Sequence, residues 1–84
     1  IALNDLSIKI YPNPAKEILF LNIEQLSDPK PVEVKVYNSI GKLIYQTDTK
    51  DTNMVIDIEQ WASGLYVIEI QQEGSRAFKK IIVE

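Results

Sequence analysis

Apolar and polar residues alternate with a period of two along much of this 84-residue chain, the spacing of a strand with one buried and one wet face. Val32, Val34 and Val36 alternate with Glu33, Lys35 and Tyr37, the cleanest such run. Met54, Ile56 and Ile58 alternate with Val55, Asp57 and Glu59, and Tyr66, Ile68 and Ile70 alternate with Leu65, Val67 and Glu69. Leu6, Ile8 and Ile10 interleave with Ser7 and Lys9, predicting a first strand after a short lead-in over residues 1–5. In Glu17 to Ile23 both faces are apolar: Leu19, Leu21 and Ile23 form the longer set and are assigned to the core. Ile18 and Phe20 then face outward, a small pair that the neighbouring proline loop or the lead-in would cover. Lys42 to Thr47 predicts another strand, but its Leu43, Ile44 and Tyr45 are consecutive, so alternation leaves its buried face open.

Turn chemistry separates these runs. Tyr11-Pro-Asn-Pro14 stops the first strand, because proline lacks an amide donor and pushes the preceding residue toward extended geometry. Asn13 there has the chemistry to cap one helical turn through Pro14, Ala15, Lys16 and Glu17. Leu26 to Pro31 is too proline-rich for a central strand and reads as a loop. Asn38-Ser-Ile-Gly41 predicts a hairpin turn closed by a positive φ at Gly41. Thr47 to Asn53 is a polar loop, Trp61 to Gly64 a turn, and Gln72-Glu-Gly-Ser75 a tight hairpin leading into a last strand, Arg76 to Val83. Seven short strands without a helix predict an all-β fold, a seven-stranded antiparallel sandwich, with a small open barrel as the alternative.

Length and composition narrow the picture. The chain is expected to form a single domain over residues 1–84, with residues 1–5 the end of a linker from an upstream segment, since no leader pattern follows Ile1. Its net charge of −3, with acidic and basic residues dispersed, provides no footprint for nucleic acid. Apolar runs are no longer than Ile18 to Leu21, far below the ~20 residues of a membrane-spanning helix, so no membrane insertion is expected.

With no histidine and no cysteine, neither a serine–histidine or cysteine–histidine nucleophile nor an imidazole or thiolate metal site can be assembled. Asp57 and Glu59 share a strand face and are the best carboxylate pair for acid–base work, but they alternate against Ile56 and Ile58 and so read as a solvated face. Asp48, Asp51 and Asn53 offer oxygens to a calcium ion, yet lack the spacing and glycine of a calcium hand and read as turn residues. Trp61 and Tyr66 suggest a sugar-stacking platform; the structural alternative is that Trp61 plugs one end of the sandwich while Tyr66 fills its core. Lys79-Lys80 fits either an acidic partner or the protection of an exposed edge strand. No cofactor is expected.

Five pieces of the chain, in order, carry a resemblance: Tyr11-Pro-Asn-Pro-Ala15, Val34-Lys-Val-Tyr-Asn38 with Gly41-Lys42, Ile56-Asp-Ile58, Gly64-Leu-Tyr66-Val-Ile, and Lys80-Ile-Ile-Val83. Together they resemble the type A C-terminal sorting domain of the type IX secretion system. That resemblance implies an immunoglobulin-like seven-stranded sandwich with no catalytic activity. It would act as an address: recognised by outer-membrane translocon and shuttle proteins, cut by a sortase-like protease, and covalently linked to an upstream cargo. The cargo would pass through the periplasm and end outside the cell or on its surface. Carried over by position, Gly64 and Tyr66 match the family's Gly-x-Tyr motif, and Lys80, Ile81, Ile82 and Val83 match its terminal Lys-led apolar motif. Trp61 stands where the family usually has leucine. The expected recognition residues are thus Gly64, Tyr66, Lys79, Lys80, Ile81, Ile82, Val83 and Glu84. The other reading is an accessory β-sandwich module of a secreted enzyme, binding polysaccharide or spacing domains.

Overall fold

A computed structural model of the protein describes residues 8–23 and 31–84. Seven strands follow in chain order: β1 (Ile8–Tyr11), β2 (Ile18–Ile23), β3 (Val32–Asn38), β4 (Leu43–Thr49), β5 (Asn53–Asp57), β6 (Gly64–Gln72) and β7 (Ser75–Val83). They form a three-stranded sheet in the order β1-β2-β5 and a four-stranded sheet in the order β4-β3-β6-β7. Every strand pairing is antiparallel. Leu19, Leu21 and Ile23 face Val32, Val34, Val36, Ile68 and Ile70 across the sandwich, with Ile56, Ile58, Tyr66, Ile81 and Val83 completing the core. The alternation in the sequence selects those faces, and each fully buried Ile or Leu contributes ~1.5–3 kcal/mol through burial.

The structure departs from the sequence pattern at identifiable places. Leu6 and the lead-in lie outside the described residues, as does most of the Leu26–Pro31 loop. In β4, Leu43 is exposed while Ile44 and Tyr45 are both half-buried. The pairing of β3 with β4 shifts at Val36/Tyr37, and such a bulge twists the strands locally so that consecutive residues share the core boundary. The polar loop expected over Thr47 to Asn53 is shorter, because β4 runs to Thr49 and β5 starts at Asn53. Asn22 Nδ2 donates to Asn53 Oδ1 at 2.6 Å, so that oxygen, a candidate calcium ligand, ties β2 to β5 instead.

Between β1 and β2, which pair in the same sheet, the chain reaches across to the edge of the other sheet and returns, and no helical turn forms there. Both prolines follow cis bonds. Ala15 makes a parallel bridge to Val83 at the end of β7. Its N–H donates to Ile82 O at 2.8 Å, and its carbonyl accepts from Glu84 N at 2.8 Å. The Asn13 side chain, expected as a helix cap, extends this contact: Oδ1 accepts from Ile82 N at 3.0 Å and Nδ2 donates to Lys80 O at 3.4 Å. Pro12 and Pro14 have no N–H to offer, so the asparagine side chain pairs where backbone cannot. Tyr11 meanwhile stacks on Phe20, ring centroids 5.4 Å apart, and covers the ring that the pattern placed outward. Ile18 stays exposed.

The turn into β6 depends on Gly64. Its φ of +150° is a torsion that L side chains rarely adopt, although no atom lies within 4 Å of where a Cβ would sit. The constraint is therefore torsional, not steric. Two residues on, Tyr66 is buried, and its hydroxyl donates back to Ala62 O at 2.6 Å, closing the turn. Trp61 lies half-buried against Tyr66 and Tyr45, with centroids 5.1 and 6.2 Å away. It plugs that end of the core as the structural reading expected, and Tyr45 joins it.

Three stability effects follow. Asn13→Ala removes two side-chain hydrogen bonds on β7 and should cost about 1 kcal/mol, read as a fall in Tm of roughly 4–8 °C for a domain of this size. Gly64→Ala should cost about 1–3 kcal/mol through backbone strain, measurable by chemical denaturation. Tyr66→Phe, which keeps the ring and loses only the bond to Ala62, should cost about 0.5–1.5 kcal/mol in the same titration.

Candidate functional site: the terminal strand

Strand β7 alternates along its whole length. Ala77, Ile81 and Val83 are buried and Lys79 is half-buried on the same core-facing side, while Arg76, Phe78, Lys80 and Ile82 are exposed on the outer face. The terminal apolar motif is thus divided by parity: Ile81 and Val83 hold the strand in the core, and Lys80 and Ile82 face solvent. Lys79 sits opposite Ile68, where a lysine can lay its stem along apolar neighbours while its ammonium reaches water.

The antiparallel register brings the two sequence motifs together. Gly64 pairs with Val83, Leu65 with Ile82, and Tyr66 with Ile81. Gly-x-Tyr and the terminal apolar residues, far apart in sequence, are therefore one patch of ladder. Leu65 and Ile82 stand side by side on its outer face, 42% and 49% exposed. Glu84 follows the strand with an exposed side chain while its backbone N–H is held by Ala15.

Beyond this apolar pair the outer face carries Val67 and the exposed Phe78 among closely bonded polar groups. Glu69 is only 7% exposed although it lies on the outward side of β6. Tyr37 donates its hydroxyl to Glu69 Oε1 at 3.0 Å, and Arg76 Nε lies 3.5 Å from Oε2, so one carboxylate links β3, β6 and β7. Partial burial, reinforced by the hydrogen bond to Glu69, pushes the Tyr37 phenol above its ordinary value. The hydrogen bond and charge of Glu33, whose Oε1 is 3.3 Å from Lys35 Nζ, push the Lys35 ammonium up in the same way. A raised folded-state pKa stabilises below the unfolded value and is lost as pH climbs through the folded one. Both contributions are thus complete at neutral pH and fade only on the alkaline side.

All eight expected residues lie on or beside the β6–β7 ladder, but they do not share one surface. Ile81, Val83 and Tyr66 are core; Lys80, Ile82 and Glu84 are exposed. Sequence reasoning missed Asn13 and Ala15, which hold the strand's outer edge, and Arg76 and Phe78, which extend its outer face. The alternation of Arg76 and Phe78 with Ala77 was available as a signal; the reach of Asn13 over 67 positions was not. Asp57 and Glu59 are exposed, and Asp57 Oδ1 accepts from Glu59 N at 3.0 Å, a turn contact.

Comparison with known proteins places this geometry. In structure, the chain is similar to a DUF3244 family protein with an immunoglobulin-like β-sandwich fold from Bacteroides vulgatus, with a TM-score of 0.74 at 17% identity, covering 93% of this chain and 84% of the other. It is also similar to domains d3–d4 of the rat CD45 extracellular region, with a TM-score of 0.60 at 12% identity, covering 96% of this chain and 48% of that one. These likenesses establish an immunoglobulin-like sandwich. In sequence, it is 28% identical over 79 residues to ulvan lyase NLR42 of Nonlabens ulvanivorans, and 30% identical over 76 residues to β-agarase D of Zobellia galactanivorans. Those alignments cover 92% and 90% of this chain but 14% of either relative, so the chain corresponds to a small part of much longer proteins. The family model described as the secretion system C-terminal sorting domain matches residues 9–84. The chain belongs to that family, the sorting tail of type IX secretion.

Proposed function

We propose that the domain is a non-catalytic address that directs a covalently attached upstream cargo across the outer membrane through the type IX secretion system. On this reading outer-membrane translocon and shuttle proteins recognise the folded sandwich, and a sortase-like protease then removes it. The cargo passes through the periplasm and ends outside the cell or on its surface. The family match supports the role, and the observation that carries the mechanism is the held terminal strand. Val83 and Tyr66 anchor it from within, Ala15 and Asn13 clasp its edge, and Lys80 and Ile82 remain displayed beside Leu65. A signal that must be read on a folded surface needs such a fixed presentation, because disorder in the recognised segment would weaken binding by the cost of ordering it. Lys79, Lys80, Ile82 and Glu84 supply contacts, while Gly64, Tyr66, Ile81 and Val83 hold those contacts in place.

The accessory-module reading draws on the polysaccharide-acting names of the relatives. It is weakened by Trp61, whose ring packs between Tyr45 and Tyr66; a sugar platform needs an open aromatic face. Secretion separates the two readings. With the chain fused behind a reporter in a type IX-competent host, deleting Lys80 to Glu84 should leave the reporter inside the cell. Ile40→Ser, at an exposed turn between β3 and β4 that is separated from β7 by β6, should secrete normally. Undiminished export of the deletion would exclude the address role.

A further inference from the structure

The outer edge of β7 is covered along only half its length. At the C-terminal half, the backbone groups of Ile82, the carbonyl of Lys80 and the N–H of Glu84 are bonded to Asn13 and Ala15. These are the groups of even-numbered residues, and in an antiparallel ladder the same side is shared by every second residue. The N–H of Lys80 and both backbone groups of Phe78 and Arg76 therefore point to the same edge, where no strand pairs with them among the described residues. The charges divide at the same place. The clasped stretch Ile81 to Glu84 carries no cation and one acidic residue, Glu84, whereas the open stretch carries Arg76, Lys79 and Lys80 with no acidic residue, in a chain whose net charge is −3. Arg76 is shared with Glu69; Lys79 and Lys80 have no carboxylate partner among the described residues.

We infer that the open half of β7, Arg76 to Lys80, is a strand-addition site for an extended acidic segment of a partner protein, and that its charges exclude a second copy of the chain. A copy pairing antiparallel about Phe78 would set Arg76 opposite Lys80 twice and Ala77 opposite Lys79, and like charges directly opposite one another destabilise a ladder. An incoming strand with carboxylates opposite Arg76 and Lys80, and an apolar residue between them opposite Phe78, would gain main-chain hydrogen bonds and two charge pairs together. Cationic edge residues commonly act only to prevent aggregation. Here the edge is both guarded against itself and complementary to acid, because the half without cations is already closed. This inference rests on the address reading for its biological meaning, by naming the chemistry of the reader, but the surface can be tested without secretion.

The test uses the whole chain and a short synthetic peptide, Glu-Thr-Val-Thr-Glu, whose alternate positions set glutamates opposite Arg76 and Lys80 and valine opposite Phe78, with Lys-Thr-Val-Thr-Lys as control. Amide shifts on titration should concentrate at Arg76, Phe78 and Lys80 and leave Ile82 unmoved. Lys80→Glu, at an exposed side chain, should weaken the glutamate peptide by about tenfold or more and strengthen the lysine peptide. The same substitution should allow self-association in sedimentation velocity, since it places a carboxylate opposite Arg76 of the copy, while the wild-type chain stays monomeric. Equal binding of both peptides, shifts centred elsewhere, or a wild-type dimer through this edge would overturn the proposal. If deletion of Lys80 to Glu84 leaves export intact while the glutamate peptide still binds the intact chain, the address reading fails and this surface stands. If deletion blocks export but Lys80→Glu alters neither peptide binding nor export, the surface fails and the address stands.

Discussion

A strand at the edge of a sheet has ladder bonds on one side only unless something closes the other, and for β7 the closure comes from the segment between β1 and β2. Ala15 bridges Val83, and Asn13 reaches the backbone of Lys80 and Ile82. Each bond is modest, of order 1 kcal/mol net, but together they turn half of an edge strand into an interior one. The same crossing lets β1 pair in one sheet while the next residues serve the other, so the two sheets are joined through the segment that secures the terminus. Tyr11 stacking on Phe20 fixes the first side of that crossing, and the buried Ala15 fixes the second.

The four-stranded sheet has its own tie on the face turned to solvent. Glu69 is nearly fully buried there because Tyr37 and Arg76 fold over it. Its partners sit on the strands at either side, so the carboxylate resists sliding of β3 or β7 along β6. A one-residue slip would invert the faces of β7, exposing Ile81 and Val83 and burying Lys80 and Ile82. Register here therefore controls both stability and what the surface displays, and it is set from two directions: by the core on the inner face and by Glu69 on the outer.

The core and the strand count were legible because burial imposes a period of two: Val32, Val34 and Val36 in β3 and Tyr66, Ile68 and Ile70 in β6 are buried on one face, with Glu69 the exception on the other. The Gly41 turn was legible too: Gly41 has a φ of +84°, and Asn38 Oδ1 accepts from Ile40 N and Lys42 N. β4 was not, since the bulge beside Val36 breaks the parity on which such reading depends. Asn13 shows a different limit. An asparagine before a proline carries a strong local meaning as a cap, and nothing local reveals that its partners lie at the far end of the chain. The candidate site was half legible for the same reason: the motif residues could be named in one dimension, but their division into anchors and displayed groups arises only when Gly64, Leu65 and Tyr66 meet Val83, Ile82 and Ile81.

On the proposed address reading, that division bears on how so short a motif would be recognised at all. A run of three apolar residues, Ile81 to Val83, is too common to be specific as a linear string, and an unfolded one would invite non-specific association. Folding removes two of the three from view and fixes the third, Ile82, beside Leu65 at a set distance from Lys80. What can be read from outside is then a spatial pattern assembled from two strands and stabilised by a third segment. Such a pattern exists only when residues from Asn13 to Val83 have folded together, so on the proposed reading a partner that bound the displayed groups would at the same time check that the sandwich has folded. A partner that binds the pattern gains its selectivity from the geometry of the ladder, and the sequence of the tail supplies the side chains that the ladder holds in place.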